Sequence, residues 1–251
     1  MIRSTLLEMK CEFLGLLRMP RYSVMTISLP AMFYVFFGIV IRQGNVGGVT
    51  ASTYVLNSMT VFGVMIASLM GLGAGIASER GLGWLEVKRA SPMPGFGWFV
   101  AKLSTAMLFA ALVSGVLFLI GATFGGVHMG FGQWLMLWGA MVLGSIPFAT
   151  LGFVLGYLAS SNSAPAVINM VAMPMAFLSG LWVPIQFLPK FLQHFALAMP
   201  AFHLARIGQA IVGMQGSGDV ISHAFALAQF TVLFAFAGWY VWRREESRLH
   251  G

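Results

Sequence analysis

Side chains able to do acid–base or metal chemistry are few in this chain of 251 residues, and they are scattered. Asp219 is its one aspartate. His128, His194, His203, His223 and His250 show neither i, i+4 nor His-x-His spacing, so no imidazole pair of the kind that grips zinc from one helix face is expected. A Ser-His-Asp hydrolase would have to use Asp219 in a loop, and the chain has no G-x-S-x-G elbow. "GLGAG" at 71–75 looks like a phosphate cradle, but a P-loop closes on Gly-Lys-Ser/Thr and no lysine here follows a glycine. Small residues in an apolar segment serve close helix packing instead, and Gly71 and Gly75 have that spacing. Between residues 103 and 189 there is no Asp, Glu, Lys or Arg, so coupling to an ion gradient has little to work with. No catalytic residue, metal site or cofactor of its own is therefore expected. Asn57, Thr60, Asn169 and Ser179 are the polar residues left as candidates for a substrate path, with hydrogen bonding between helices as their other and simpler role.

The elements that must position these residues are membrane helices. The chain is 59% hydrophobic and 8% charged, with mean hydropathy +0.86; soluble domains average about 45–50% apolar and about 25% charged. The net charge of +7 comes from basic residues beside apolar segments, which fits membrane flanks rather than nucleic acid. A single cysteine, Cys11, excludes an internal disulfide framework. Charges at Arg3, Glu8, Lys10, Glu12 and Arg18 interrupt the first twenty residues, so no cleavable signal is expected.

The expected fold is an all-α integral membrane protein forming a single transmembrane domain over residues 1–251. Ile2, Leu6, Met9, Phe13 and Leu17 recur at helical spacing, which predicts an amphipathic interface helix within 1–22. Six spans follow at 23–41, 55–77, 98–123, 133–158, 165–184 and 223–242. Pro184, Pro189 and Pro200 cut the apolar stretch 182–212 into pieces too short to cross, predicting short extracellular re-entrant helices between spans five and six. Eleven Lys and Arg fall on the side of the termini and the 77–97 loop, against three on the other side. That asymmetry makes both termini and that loop cytoplasmic.

The loop reads "ASERGLGWLEVKRASPMP" and is strongly charged for so apolar a chain. "ERGLGWLE" followed by "SPMP" resembles the cytoplasmic loop of type-2 ATP-binding-cassette (ABC) permeases, through Glu79, Arg80, Gly83, Leu85, Glu86, Ser91 and Pro92. Trp84 stands where that family has threonine, and Gly81 where a second acidic residue is common. The stretch entering span one is similar too, with Arg18, Pro20, Pro30 and Gly38. So is the stretch after span five, with Phe177, Ser179, Gly180, Pro184, Leu188, Pro189, Pro200 and Arg206, and so is the "RREES" tail.

The resemblance implies a permease without its own ATPase site, paired with a second copy or a paralogous permease and with two copies of a separate cytoplasmic ATPase carrying ATP and Mg. It implies a multi-pass protein of a bacterial inner membrane. It also implies that Glu79, Arg80, Gly83, Trp84, Leu85 and Glu86 belong to a coupling helix seated on the ATPase. A short amphipathic helix can bury Trp84, Leu85 and Val87 in a partner's groove. The substrate expected is a hydrophobic small molecule, drug or lipid-like compound moved outward. A glycan or lipid-linked polysaccharide is the alternative within the family. A membrane-embedded lipid-modifying enzyme, using His128 or Asp219, is the alternative outside it.

Overall fold

The computed structural model describes residues 2–41, 44–84 and 95–249. The chain is helical almost throughout, and five of its helical segments are long and apolar enough to cross a membrane.

Helix α1 (Ile2–Leu17) leads into α2 (Pro20–Phe33), whose first turn carries a proline, where the absent N–H costs nothing. The apolar stripe of α1 divides: Phe13 packs on Phe109 at 5.1 Å, whereas Leu6 and Leu17 point outward, 53% and 40% exposed. From Tyr34 to Val40 the helix widens into π turns, and the ring of Tyr34 covers Gly38 so closely that a Cβ there would lie 2.6 Å from it. A feature absent from the sequence reading follows. Asn45–Val46 (β1) and Val49–Thr50 (β2) form a two-residue hairpin around Gly47 and Gly48, both at positive φ. Such a turn suits glycine at both central positions.

Thr50 then caps α3 (Ala51–Gly81), its hydroxyl accepting from the Thr53 N–H at 3.3 Å. Helix α3 is the axis of the fold. Its most apolar stretch is 78% buried, against 6% for α10 (Val220–Leu249). A helix apolar on every face must be surrounded, and here α4 (Gly95–Thr123), α6 (Ile146–Leu158) and α7 (Ala164–Leu178) surround it. Glycines set the α3–α6 distance: a Cβ on Gly156 would lie 2.6 Å from the Gly73 carbonyl, and one on Gly152 would lie 2.9 Å from that of Leu69. The glycine of "GLGAG" that meets another backbone is thus Gly73. Gly71 faces the Tyr22 hydroxyl, and a Cβ on Gly75 would touch nothing.

The segment expected as one span at 133–158 is two helices, α5 (Phe131–Leu143) and α6, broken at Gly144–Ser145 ahead of Pro147. The segment expected at 165–184 is helical only to Leu178. Gly180, at φ +77°, ends α7 in a Schellman turn: its N–H donates to Phe177 O, and that of Leu181 donates to Ala176 O. At 15 residues α7 is shorter than the five segments long enough to cross. The prolines of 182–212 cut the chain as expected, into a 3₁₀ turn (Ile185–Phe187), α8 (Lys190–Ala196) and α9 (Pro200–Ile211). Asp219 opens α10 by accepting from the N–H groups of Ile221 and Ser222.

Candidate functional site

Glu79 and Arg80 occupy the last turn of α3, and each reaches in its own direction. Glu79 meets Lys102, a lysine near the start of α4 that is 2% exposed. The same ammonium holds Glu12 of α1 at 2.7 Å and lies 5.9 Å from the Trp98 ring centroid. Arg80 turns toward α6 and α10. It donates to the carbonyls of Tyr157 (2.7 Å), Gly156 (3.2 Å) and Ala159 (3.4 Å), lies 5.3 Å over the Tyr157 ring, and pairs with Glu245 of α10 at 2.7 Å.

The logic is electrostatic. Lys102 lies too deep to be solvated, so it needs counter-charges, and two carboxylates meet it. The end of α6 exposes carbonyls without helical partners and the negative pole of its dipole. Arg80 satisfies both while its other nitrogen holds α10. One end of α3 is thereby tied to α1, α4, α6 and α10 at once.

From this knot the chain leaves the bundle. Leu82 closes α3 at 70% exposure, Gly83 turns the backbone at φ +74°, and Trp84 follows at 54% exposure. Leu85 and Glu86, like Ser91 and Pro92, lie outside the described residues. The structure thus sets two ion-pair groups side by side, Glu79 with Lys102 and Arg80 with Glu245, and this cluster has Gly83 and Trp84 at its exit.

Three members of that cluster, Glu12, Lys102 and Glu245, were not singled out from the sequence as site residues. Lys102 carried a signal, as a lone cation at the mouth of an apolar segment, where ionisable residues are costly. Its two carboxylates sit 90 and 23 residues away, and no local pattern pairs them.

The candidate path residues do not converge. Asn57 is buried and donates to Ala205 O at 3.0 Å, and its Oδ1 lies where a Cβ on Gly208 would be 1.9 Å away. Thr60 is buried and bonds Leu56 O within its own helix. Ser179 is buried at the end of α7, next to Gly180, whose carbonyl accepts from the Tyr54 hydroxyl at 2.9 Å. Asn169, on α7, is half-buried. His128 lies exposed between α4 and α5, and Asp219 is committed to capping α10.

A family model described as "ABC-2 type transporter" matches residues 4–212. YvfS of Bacillus subtilis (strain 168), named as a transport permease, is 27% identical over 238 residues, covering 94% of this chain and 96% of that protein. YhhJ of Escherichia coli (strain K12), named as an inner membrane transport permease, is 28% identical over 205 residues, covering 76% of this chain and 48% of that protein.

Proposed function

Because the chain belongs to the ABC-2 type transporter family, whose members are multi-pass transport subunits working with an ATPase subunit, we propose that it is the permease of an exporter for a hydrophobic small molecule, drug or lipid-like compound, driven by two copies of a separate ATPase that bind ATP and Mg. The observation that carries this reading is the end of α3. Trp84 stands exposed one turn beyond two residues that lock α3 to four other helices. A push delivered at Trp84, Leu85 and Glu86 therefore moves a group of helices together instead of bending one.

Six crossings with both termini cytoplasmic fit the packing of α7. A Cβ on Gly81 would touch Ser161 at one end of α3, and Tyr54 bonds Gly180 at the other. Residues 161–180 therefore run the length of α3, and α8 and α9 follow on the outer side as re-entrant helices. The Lys and Arg asymmetry supports the same orientation in a bacterial inner membrane.

A second permease, the same chain or a paralogue, covers the outward faces of α2 and α7, where Val35, Phe36, Phe37, Met170 and Phe177 are exposed. Of the candidate path residues, Asn169 is the one assigned to the path, while Asn57 ties α3 to α9 and Thr60 bonds within α3.

An apolar substrate is favoured because Phe109, Phe118 and Phe148, the aromatics a sugar channel would have displayed, are buried in the core. The glycan reading keeps one observation in its favour: Phe36, Phe37, Phe33 and Trp182 form a continuous run of ring contacts at 5.1, 6.1 and 5.6 Å.

The test is reconstitution with a candidate ATPase subunit. Trp84→Ala should weaken ATPase binding by about 2–4 kcal/mol, roughly 30-fold or more, and Glu86→Lys should uncouple hydrolysis from transport. Full binding and full transport in both variants would remove this loop from the mechanism.

A further inference from the structure

His203 of α9 and His223 of α10 stand 20 residues apart in sequence and face each other through their Nδ1 atoms at 2.9 Å. Their outer nitrogens are also engaged. His203 Nε2 lies 3.0 Å from Leu197 O, and His223 Nε2 lies 3.1 Å from Ser217 O. A carbonyl oxygen only accepts, so each Nε2 must carry a hydrogen. Two neutral rings so arranged would aim bare Nδ1 lone pairs at each other at hydrogen-bond distance. One added proton removes the conflict, since one Nδ1 then donates to the other.

We infer that His203 and His223 form a binding site for a single proton, a shared N–H···N bridge that clasps α9 to the end of α10. The site is built for little else. Phe202 flanks both rings, at 5.4 Å from His203 and 5.8 Å from His223, and Phe230 lies 6.0 Å from His203. His203 is 8% exposed. Burial of His223 opposes the extra proton most, Arg206 opposes it further, and the Ser217 carbonyl and Asp219 favour it. A zinc ion between the rings would hold its two nitrogens roughly 3.3 Å apart at Zn–N bonds of about 2.0–2.1 Å, so the observed spacing fits a proton and not a metal.

The clasp is strongest with one proton and fails on both sides of that state. Loss of the proton restores the lone-pair conflict. A second proton sets two cations ring to ring. In the orientation proposed above this pair faces the cell exterior, the side whose acidity varies. The proton count itself does not depend on that orientation.

The experiment is ¹⁵N NMR of the full chain, labelled at histidine, in lipid nanodiscs. At pH 7 both Nε2 atoms of the pair should be protonated, and one proton should correlate with both Nδ1 nitrogens. That signal should vanish in His223→Phe. After correction for intrinsic exchange, α9 amides should exchange about tenfold faster at pH 4 and in His223→Phe than in the native chain at pH 7. A pair found neutral at pH 7, with one Nε2 bare, would overturn the inference. So would a response of both rings to one equivalent of Zn²⁺, which would mark a metal site.

Discussion

Lys102→Met removes a buried ammonium while keeping most of the side-chain length. Glu12 and Glu79, 14% and 18% exposed, would then lose the ammonium they share. Held by one ammonium in the native chain, they lie no farther apart than two hydrogen-bond lengths. Deleting one partner of a fully buried ion pair costs about 3–5 kcal/mol. Protonating one carboxylate relieves the repulsion. From an ordinary glutamate value of about 4.3, that costs about 3.7 kcal/mol at pH 7. Partial exposure lowers the penalty further, so a loss of about 2–4 kcal/mol is expected. For a chain of this size, 1 kcal/mol moves the melting midpoint by about 2–4 °C, which gives a fall of roughly 5–15 °C. At pH 5 neutralising one carboxylate costs only about 1 kcal/mol, so the gap to the native protein should shrink. Adding Glu79→Gln to Lys102→Met should restore at least half the loss at pH 7. The assay is tryptophan-fluorescence melting of purified protein at both pH values. A single variant melting within 1 °C of native at pH 7 would refute the role given to this lysine.

Gly156→Val should abolish folding, because its Cβ would lie 2.6 Å from the Gly73 carbonyl, a backbone atom that cannot step aside; size-exclusion chromatography after mild solubilisation reads this as aggregation. Gly83→Ala meets no neighbouring atom but keeps φ at +74°, so it should cost about 1–2 kcal/mol, confined to the exit of α3, and weaken ATPase binding without moving the melting midpoint of the bundle. In intact cells Cys11, which is exposed on α1, should resist an impermeant thiol reagent while a cysteine placed at Gly216 reacts; the opposite pattern would reverse the orientation.

Periodicity and length carried most of the fold. Helix-sized apolar runs predicted the five segments long enough to cross, and prolines predicted the short helices of 182–212. Two boundaries followed a different rule. Gly180 stops α7 through a local turn, and Gly144–Ser145 divides what reads as one run. Leu204 of α9 packs so tightly there that a Cβ on Gly144 would lie 2.3 Å from it. Neither event changes hydropathy, so a hydropathy reading passes over both. The site was legible in half. Glu79, Arg80 and Trp84 stood out by motif, whereas Glu12 and Glu245 are ordinary glutamates until the fold carries them to Lys102 and Arg80. The histidine pair escaped altogether, because 20 residues and a loop separate rings that touch.

The shallow burial of α10 bears on how the protein is made. This helix is synthesised after the other described helices, begins beyond the region matched by the family model, and places Leu227 in the main core. It packs along α6 and α9 and is pinned near its two ends, by Glu245 to Arg80 and by His223 to His203. A ribosome that has released residues 1–212 has therefore exported nearly all of the core while leaving Arg80 without its carboxylate partner on α10. The knot at the end of α3 becomes whole only when Glu245 arrives. A chain shortened by a premature stop would hold its core yet lack one of the ties through which the ATPase could move it.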